Sequence, residues 1–252
     1  MGGKDMRSTL EVCVDSTLSA VAAQEGGADR IELCSDLIIG GITPGHILAK
    51  QIKDRISIPI RALIRPRFGD FCYNEDEFSI MLEEIRHFRK LGVSGVVTGI
   101  LKPDGNMDME RMKKLKEAAG DMDFAIHRAF DMSKDPFKAM EDAATLGAVT
   151  ILTSGQEASA WMGRELLKQL VEESNGRIEI MAGGGIDGKQ IRELAAYTGL
   201  TAFHMSGKVN MDSRMVFRRN GINMGLPGFD EYHIWQTEAD KIRCAADQIK
   251  NV

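Results

Sequence analysis

The amino-acid sequence predicts a TIM-type (β/α)8 barrel, on three observations. Short apolar runs rich in branched residues alternate with helical stretches along the whole chain, and there are eight of them. Four helices end in a glycine shortly before the next run, in GGADRIEL, LGVSGVV, LGAVTIL and TGLTAF, which marks the αβ loops of one repeating architecture. The seventh and eighth runs end in glycine-bearing turns, MAGGGI and FHMSG, at the place where such barrels hold phosphate. An open doubly wound sheet competes, but the first βα turn lacks its GxGxxG fingerprint.

The strand-like runs begin near Leu10, Arg30, Ile60, Gly95, Phe124, Thr150, Ile178 and Thr201. Between them lie helix start and stop signals. Asp15-Ser16 precedes the run through Ala23, and Thr43-Pro44 places proline at a first helical position. Asn74 opens EDEFSIMLEEIRHFRKL, which closes at Gly92. Asp108 opens MERMKKLKEAA, and Asp135-Pro136 opens FKAMEDAATL, closing at Gly147. After the eighth run the pattern loosens. Residues 208–230 read as irregular, with VFRR-Asn220-Gly221-INM resembling a hairpin about a type I′ turn, and the segment suits a lid, an interface or a plain connection. A final helix over about 231–250 is expected to pack on the barrel and to hold Trp235 and Cys244. No linker divides the chain, so residues 1–252 are expected to form one domain.

At 252 residues the chain has the size of one such barrel and can bury a sizeable core. A net charge of −5 argues against a nucleic-acid surface, which needs a basic face. No apolar run approaches the roughly 18 residues of a membrane span, and the N-terminus lacks a signal-peptide core. Cys13, Cys34, Cys72 and Cys244 form neither a CxxC pair nor a dense framework, as expected of reduced thiols in a cytoplasmic protein.

Alternation along the strands puts unusual residues inside the barrel. Glu11, Cys13 and Asp15 lie opposite Val12 and Val14; Arg30, Glu32 and Cys34 lie opposite Ile31 and Leu33. Arg61, Arg65 and Arg67 oppose Ile60, Ala62 and Ile64. Phe124 and Ile126 leave His127 inside, and Phe203 and Met205 leave His204 and Ser206 there. A purely structural barrel fills these layers with branched apolar residues, and an unpaired buried charge is costly. These groups must therefore pair with one another, with a ligand, or with both. Glu11 with Arg61 is the expected pair at the barrel base, whereas Cys34, Arg65, His127, Arg128 and Ser206 are nearest the C-terminal strand ends. Glu32, Arg65, His127 and His204 are the candidate catalytic residues: arginine grips anions, and histidine or glutamate moves protons. Gly183, Gly184, Gly185, Ser206 and Gly207 are candidate anion binders, since glycine lets backbone N–H groups approach and a following helix terminus adds a favourable dipole.

The motifs LEVCVDS, GADRIELCSDLIIGGITPG, IRALIRPRFGDFCY, IHRAFD, TILTSGQ, MAGGGI and FHMSGK run in order over residues 9–207. Together they closely resemble the CutC family of copper homeostasis proteins. The resemblance implies a TIM-type barrel, a cytoplasmic homo-oligomer and a role in copper handling. It also implies that Cys13 in EVCVD and Cys34 in ELCSD match proposed Cu(I) ligands of the family. Soft Cu(I) prefers thiolates, and neighbouring strands about 4.8 Å apart can bring two inward sulfurs to one ion. Without the resemblance, two small buried thiols are the plainer account. Two functions thus compete: a copper homeostasis protein that binds Cu(I), and an enzyme acting on a phosphorylated or carboxylated small molecule in a polar cavity at the C-terminal face. The expected partner is a copper ion or a small anionic metabolite, with no nucleic acid and no membrane.

Overall fold

In the computed structural model, which describes residues 8–219, 221–226, 228 and 230–250, eight parallel strands close into a barrel in sequence order. They are β1 (Thr9–Val14), β2 (Arg30–Leu33), β3 (Ile60–Leu63), β4 (Gly95–Thr98), β5 (Asp123–Ile126), β6 (Thr150–Thr153), β7 (Glu179–Ala182) and β8 (Ala202–Met205). Each begins within one residue of its expected start. The helices around them are α1 (Thr17–Glu25), α2 (His46–Lys53), α3 (Glu75–Leu91), α4 (Met109–Ala119), α5 (Pro136–Leu146), α6 (Arg164–Ser174) and α7 (Ile191–Thr198).

The caps explain why these helices begin where they do. Ser16 accepts from the Ser19 N–H, Asp108 from Arg111, and Asp135 from Phe137 and Lys138, with Pro136 in the first turn. Asn74 and Glu77 form a reciprocal capping box, and Gly92 and Gly147 close α3 and α5. Thr43-Pro44 departs from expectation: α2 begins only at His46. Thr43 is instead bound to the end of the third strand, its N–H donating to the Arg65 carbonyl and its Oγ1 accepting the Arg65 N–H, both at 2.9 Å. Those bonds hold the chain outside the helix.

The alternation expected along the strands produces two kinds of interior. Outward-facing residues such as Val12, Ile31, Phe124 and Phe203 join the helices in one continuous apolar core. Inside the barrel the apolar content shrinks to two small patches, Cys34, Leu63, Val97 and Ala125 on one side and Leu152, Met181 and Ala202 on the other.

Beyond the eighth strand, β9 (Lys208–Asp212) and β10 (His233–Thr237) form an antiparallel ribbon, followed by α8 (Ala239–Ile249). The last helix therefore starts later than expected, and Trp235 lies in a strand, with Lys208 Nζ 3.2 Å from its ring centroid. Cys244 is exposed on the helix. Of the expected hairpin, Asn220 lies outside the described residues, and its described neighbours form no strand. An Asn-Gly pair marks a hairpin only where its flanks pair, and here the pairing partner of 208–212 is 233–237. Among the described residues no helix is long and apolar enough to cross a membrane.

Candidate functional site

At the N-terminal end of the barrel the inward charges neutralise one another. Arg30 Nε donates to Glu11 Oε2 at 2.5 Å and its Nη2 to Glu179 Oε2 at 3.0 Å. Arg61 reaches Glu11 Oε2 at 3.4 Å, Thr150 Oγ1 at 3.2 Å and Asp123 Oδ2 at 2.9 Å. The expected Glu11–Arg61 pair is thus one edge of a larger network. Burial opposes the charge on Glu11, but His204, Arg30 and Arg61 outweigh it and hold the carboxyl well below the usual range.

One inward step higher, His204 Nδ1 donates to Glu11 Oε1 at 2.9 Å, and its Nε2 lies 3.6 Å from Glu32 Oε2. Burial alone would lower its pKa, but the Cys13 sulfur and the Glu11 and Glu32 carboxylates carry it well above the ordinary imidazole value. His204 is therefore charged, with Nδ1 committed to Glu11 and Nε2 facing Glu32, which suits it to holding carboxylates rather than shuttling protons. Glu32 Oε2 accepts from the Cys34 thiol at 3.5 Å, while Glu32 Oε1 is buried without a partner. Burial, reinforced by the Glu11 charge, raises the Glu32 pKa against the pull of His204. Burial and the Glu32 carboxylate also push the Cys34 thiol well above its ordinary value.

Above this layer a cavity of about 670 Å³ opens at the C-terminal strand ends, with Glu32, Arg65, His127, His204 and Cys13 on its wall. His127 follows β5 directly, and its Nδ1 accepts the Ala129 N–H at 3.1 Å. The ring proton therefore sits on Nε2, which is buried and unpartnered. Burial and the adjacent Arg65 charge push the His127 pKa down to about 3, so the ring is neutral. Arg65 is not the free fork expected from the sequence. Its Nη1 donates to the Gly40 and Gly41 carbonyls and its Nη2 to the Gly69 carbonyl, tying two loops together. Its Nε has no hydrogen-bond partner among the described residues. Arg67 leaves the interior altogether, pairing with Glu77 and Asp70 on the surface.

Of the glycine-turn candidates, Gly184, Gly185 and Ser206 line the cavity. Gly184 and Gly185 have φ of 97° and 75°, a left-handed backbone that other residues rarely adopt. Gly183 and Gly207 serve packing instead: a Cβ would strike Leu152 at Gly183 and Ile242 at Gly207. No helix terminus adjoins either turn. Asp187 takes the N–H groups of Lys189 and Gln190 before α7 begins, and β9 follows Gly207.

Asp131, Ser154 and Lys208 join the site without any mark in the local sequence pattern. Asp131 accepts from Arg128 Nε at 2.7 Å and from the Ser154 N–H and Oγ, while Arg128 Nη2 donates to Ser154 Oγ. The network turns Arg128 toward Gly184 at the cavity rim. Asp131 and Ser154 stand in the motifs IHRAFD and TILTSGQ, but nothing local says that these loops meet. Cys13 is half-buried and opens on the cavity, packed against the patch that buries Cys34. Among the described residues no three His, Cys, Asp or Glu side chains are disposed to hold a metal ion.

The sequence profile of the CutC family matches residues 8–209, which span the whole barrel and the start of the ribbon. The chain belongs to the CutC family. A family protein CutC of Chromobacterium violaceum is 41% identical over 97% of this chain and 99% of its own length. The human copper homeostasis protein cutC homolog is 41% identical over 96% of this chain and 89% of its own length. The crystal structure of CutC from Streptococcus agalactiae has the same fold, with a TM-score of 0.76 and 30% identity over 79% of this chain and 98% of that one.

Proposed function

We propose that this chain serves copper homeostasis, the role named for its human relative, by taking Cu(I) at Cys13 and Cys34. The supporting observation is a pair of free thiols, one on β1 opening on the cavity and one just past the end of β2, packed in the patch behind it. Soft Cu(I) prefers such donors as thiolates. Cys34 is a protonated thiol held by Glu32, so the metal must displace its proton. Competition against a Cu(I) chelator should give about one ion per chain, with affinity that rises with pH. Cys13→Ser or Cys34→Ser should remove most of the affinity and Cys244→Ser none. Unchanged binding by the Cys13/Cys34 double variant removes the reading. The protein is assigned to the cytoplasm as a homo-oligomer; exposed Val216, Phe217 and Met224 support self-association, which ultracentrifugation checks.

A second reading rests on a different observation. Three buried polar atoms on cavity-lining residues, Glu32 Oε1, Arg65 Nε and His127 Nε2, have no partner among the described residues. An enzyme acting on a phosphorylated or carboxylated small molecule would supply partners for them. Arg128, Lys208, Ser206 and the N–H groups of Gly184 and Gly185 would hold its anionic end. Calorimetry with inorganic phosphate tests the anion end: Gly184→Asp should weaken binding with circular dichroism unchanged, and absence of wild-type binding to inorganic phosphate and to phosphorylated and carboxylated compounds alike sinks the reading.

A further inference from the structure

Resting on the enzyme reading above, we propose that the substrate is an anionic carbonyl compound whose carbonyl oxygen is held by His127 and Arg65 and whose neighbouring C–H bond is broken by Glu32. Three features of the wall point to this class. The His127 tautomer is set by the Ala129 N–H on Nδ1, leaving Nε2–H as a buried donor with nothing to donate to. Arg65 Nε is a second buried, unpartnered donor, and Phe71 seats both groups. The Arg65 guanidinium lies 5.1 Å over the Phe71 ring, and the His127 and Phe71 centroids are 4.9 Å apart. Two donors held by one ring suit a single acceptor oxygen that gains charge.

The third feature is Glu32. Its Oε2 is occupied by the Cys34 thiol, so Oε1 is the oxygen left for a ligand, and it too is buried and unpartnered. All three side chains are more than nine-tenths buried. A free phosphate or carboxylate would satisfy the two donors but be repelled by Glu32. A carbonyl with an adjacent C–H answers all three atoms at once. The anionic end then lies toward Arg128, Gly184 and Lys208, which line the same cavity.

In the step, Glu32 Oε1 takes the proton from the carbon beside the carbonyl. The C–H bonding pair becomes the carbon–carbon π bond of an enolate, and the carbonyl π pair moves onto oxygen, where His127 Nε2–H and Arg65 Nε–H donate to it. Return of a proton from Glu32 to the same carbon restores the substrate; where that carbon carries a hydroxyl, return to the former carbonyl carbon gives the isomer, the hydroxyl becoming the new carbonyl as its proton passes to the former carbonyl oxygen. No oxidant or reductant is consumed.

The test follows deuterium incorporation by ¹H NMR for the full chain in D₂O. The phosphate arm uses dihydroxyacetone phosphate, ribulose 5-phosphate and fructose 6-phosphate; the carboxylate arm uses pyruvate and 2-oxoglutarate. At least one probe should lose its α C–H signal in a protein-dependent manner. Glu32→Gln should slow that loss by roughly 10²–10⁴-fold while the probe still binds by calorimetry. His127→Ala should slow it by roughly 10²–10³-fold, and His127→Gln, which keeps a donor, should recover part of it. Probes that bind without exchange overturn this proposal and leave the enzyme reading standing. If neither these probes nor inorganic phosphate bind, both fall. ¹⁵N NMR of His127 decides independently of any variant's folding: a neutral ring protonated on Nε2 is expected from about pH 5 to pH 8, and an Nδ1–H tautomer or an imidazolium overturns the proposal.

Discussion

At the base of the barrel Glu11, Arg30, Arg61, Asp123 and Glu179 answer one another, whereas one inward step up the same wall Glu32, Arg65 and His127 do not. The residue types are the same. Arg61 is neutralised by two carboxylates; Arg65 is held by three backbone carbonyls. His204 is an imidazolium with both nitrogens beside carboxylates, and His127 is a neutral ring with one nitrogen bare. Composition inside a barrel therefore does not distinguish a polar core from a site. Arg61 Nε at the base is also buried without a partner, so what distinguishes the mouth is that its three bare atoms belong to residues lining a cavity that a ligand can enter.

The largest expected effect lies at the base. Glu11→Ala leaves Arg30, Arg61 and His204 short of a carboxylate, and breaking such a buried network costs about 3–5 kcal/mol. Calorimetry should show Tm lowered by roughly 6–20 °C. Glu32→Gln at the mouth should lower it by much less. Equal losses would erase the distinction between the two layers.

Acid should separate the layers next. His127 has a folded pKa of about 3, below its unfolded value near 6.5, so the unfolded chain binds the extra proton between them. Its contribution is full above pH 6.5 and is lost as pH falls toward 3, on the order of 3 kcal/mol by pH 4. Glu11 is also shifted down, but from an unfolded value of 4.5, so its contribution is lost mainly below this window. Its carboxyl stays ionised well below the usual range, so the base keeps its charges while the mouth weakens. Denaturant midpoints from pH 7 to pH 4 should therefore fall more for the wild type than for His127→Gln. Parallel curves would mean that His127 is not buried neutral.

A smaller effect concerns the tether at Arg65. Arg65→Lys keeps the charge but loses the fork that joins the Gly40, Gly41 and Gly69 carbonyls, at about 1–2 kcal/mol. Hydrogen exchange should quicken in residues 36–43 and 67–70 and remain unchanged at the base. The smallest effect sets the scale away from both layers: Asn74→Ala breaks the α3 capping box at about 1 kcal/mol and should leave Cu(I) and phosphate binding intact.

Much of the fold was readable because it is written locally. Strand starts follow runs of branched residues, and the caps at Ser16, Asn74, Asp108 and Asp135 are side chains bonding two or three residues along their own chain. Strand 208–212 pairs with 233–237, a partner that a local turn signal does not choose across the 20 residues between them. For the site, alternation correctly placed Glu11, Glu32, Arg61, Arg65, His127 and His204 inside, and misplaced Arg67, which the Glu77 and Asp70 carboxylates draw to the surface. Among the glycines it could not separate Gly184 and Gly185, which face the cavity, from Gly183 and Gly207, which make room for Leu152 and Ile242.

The sequence by itself determined the barrel, its strand positions and the presence of charge within it, since period-2 alternation and capping are short-range sterics and hydrogen bonding. Only the tertiary structure decided which charges are spent. Glu11 finds Arg30 across 19 residues and Arg61 across 50, Arg30 finds Glu179 across 149, and Asp131 finds Ser154 across 23. Electrostatic and hydrogen-bond partners are chosen by distance in space. Closing the barrel brings β1 beside β8 and β2 within reach of β7, neighbours that no local pattern names.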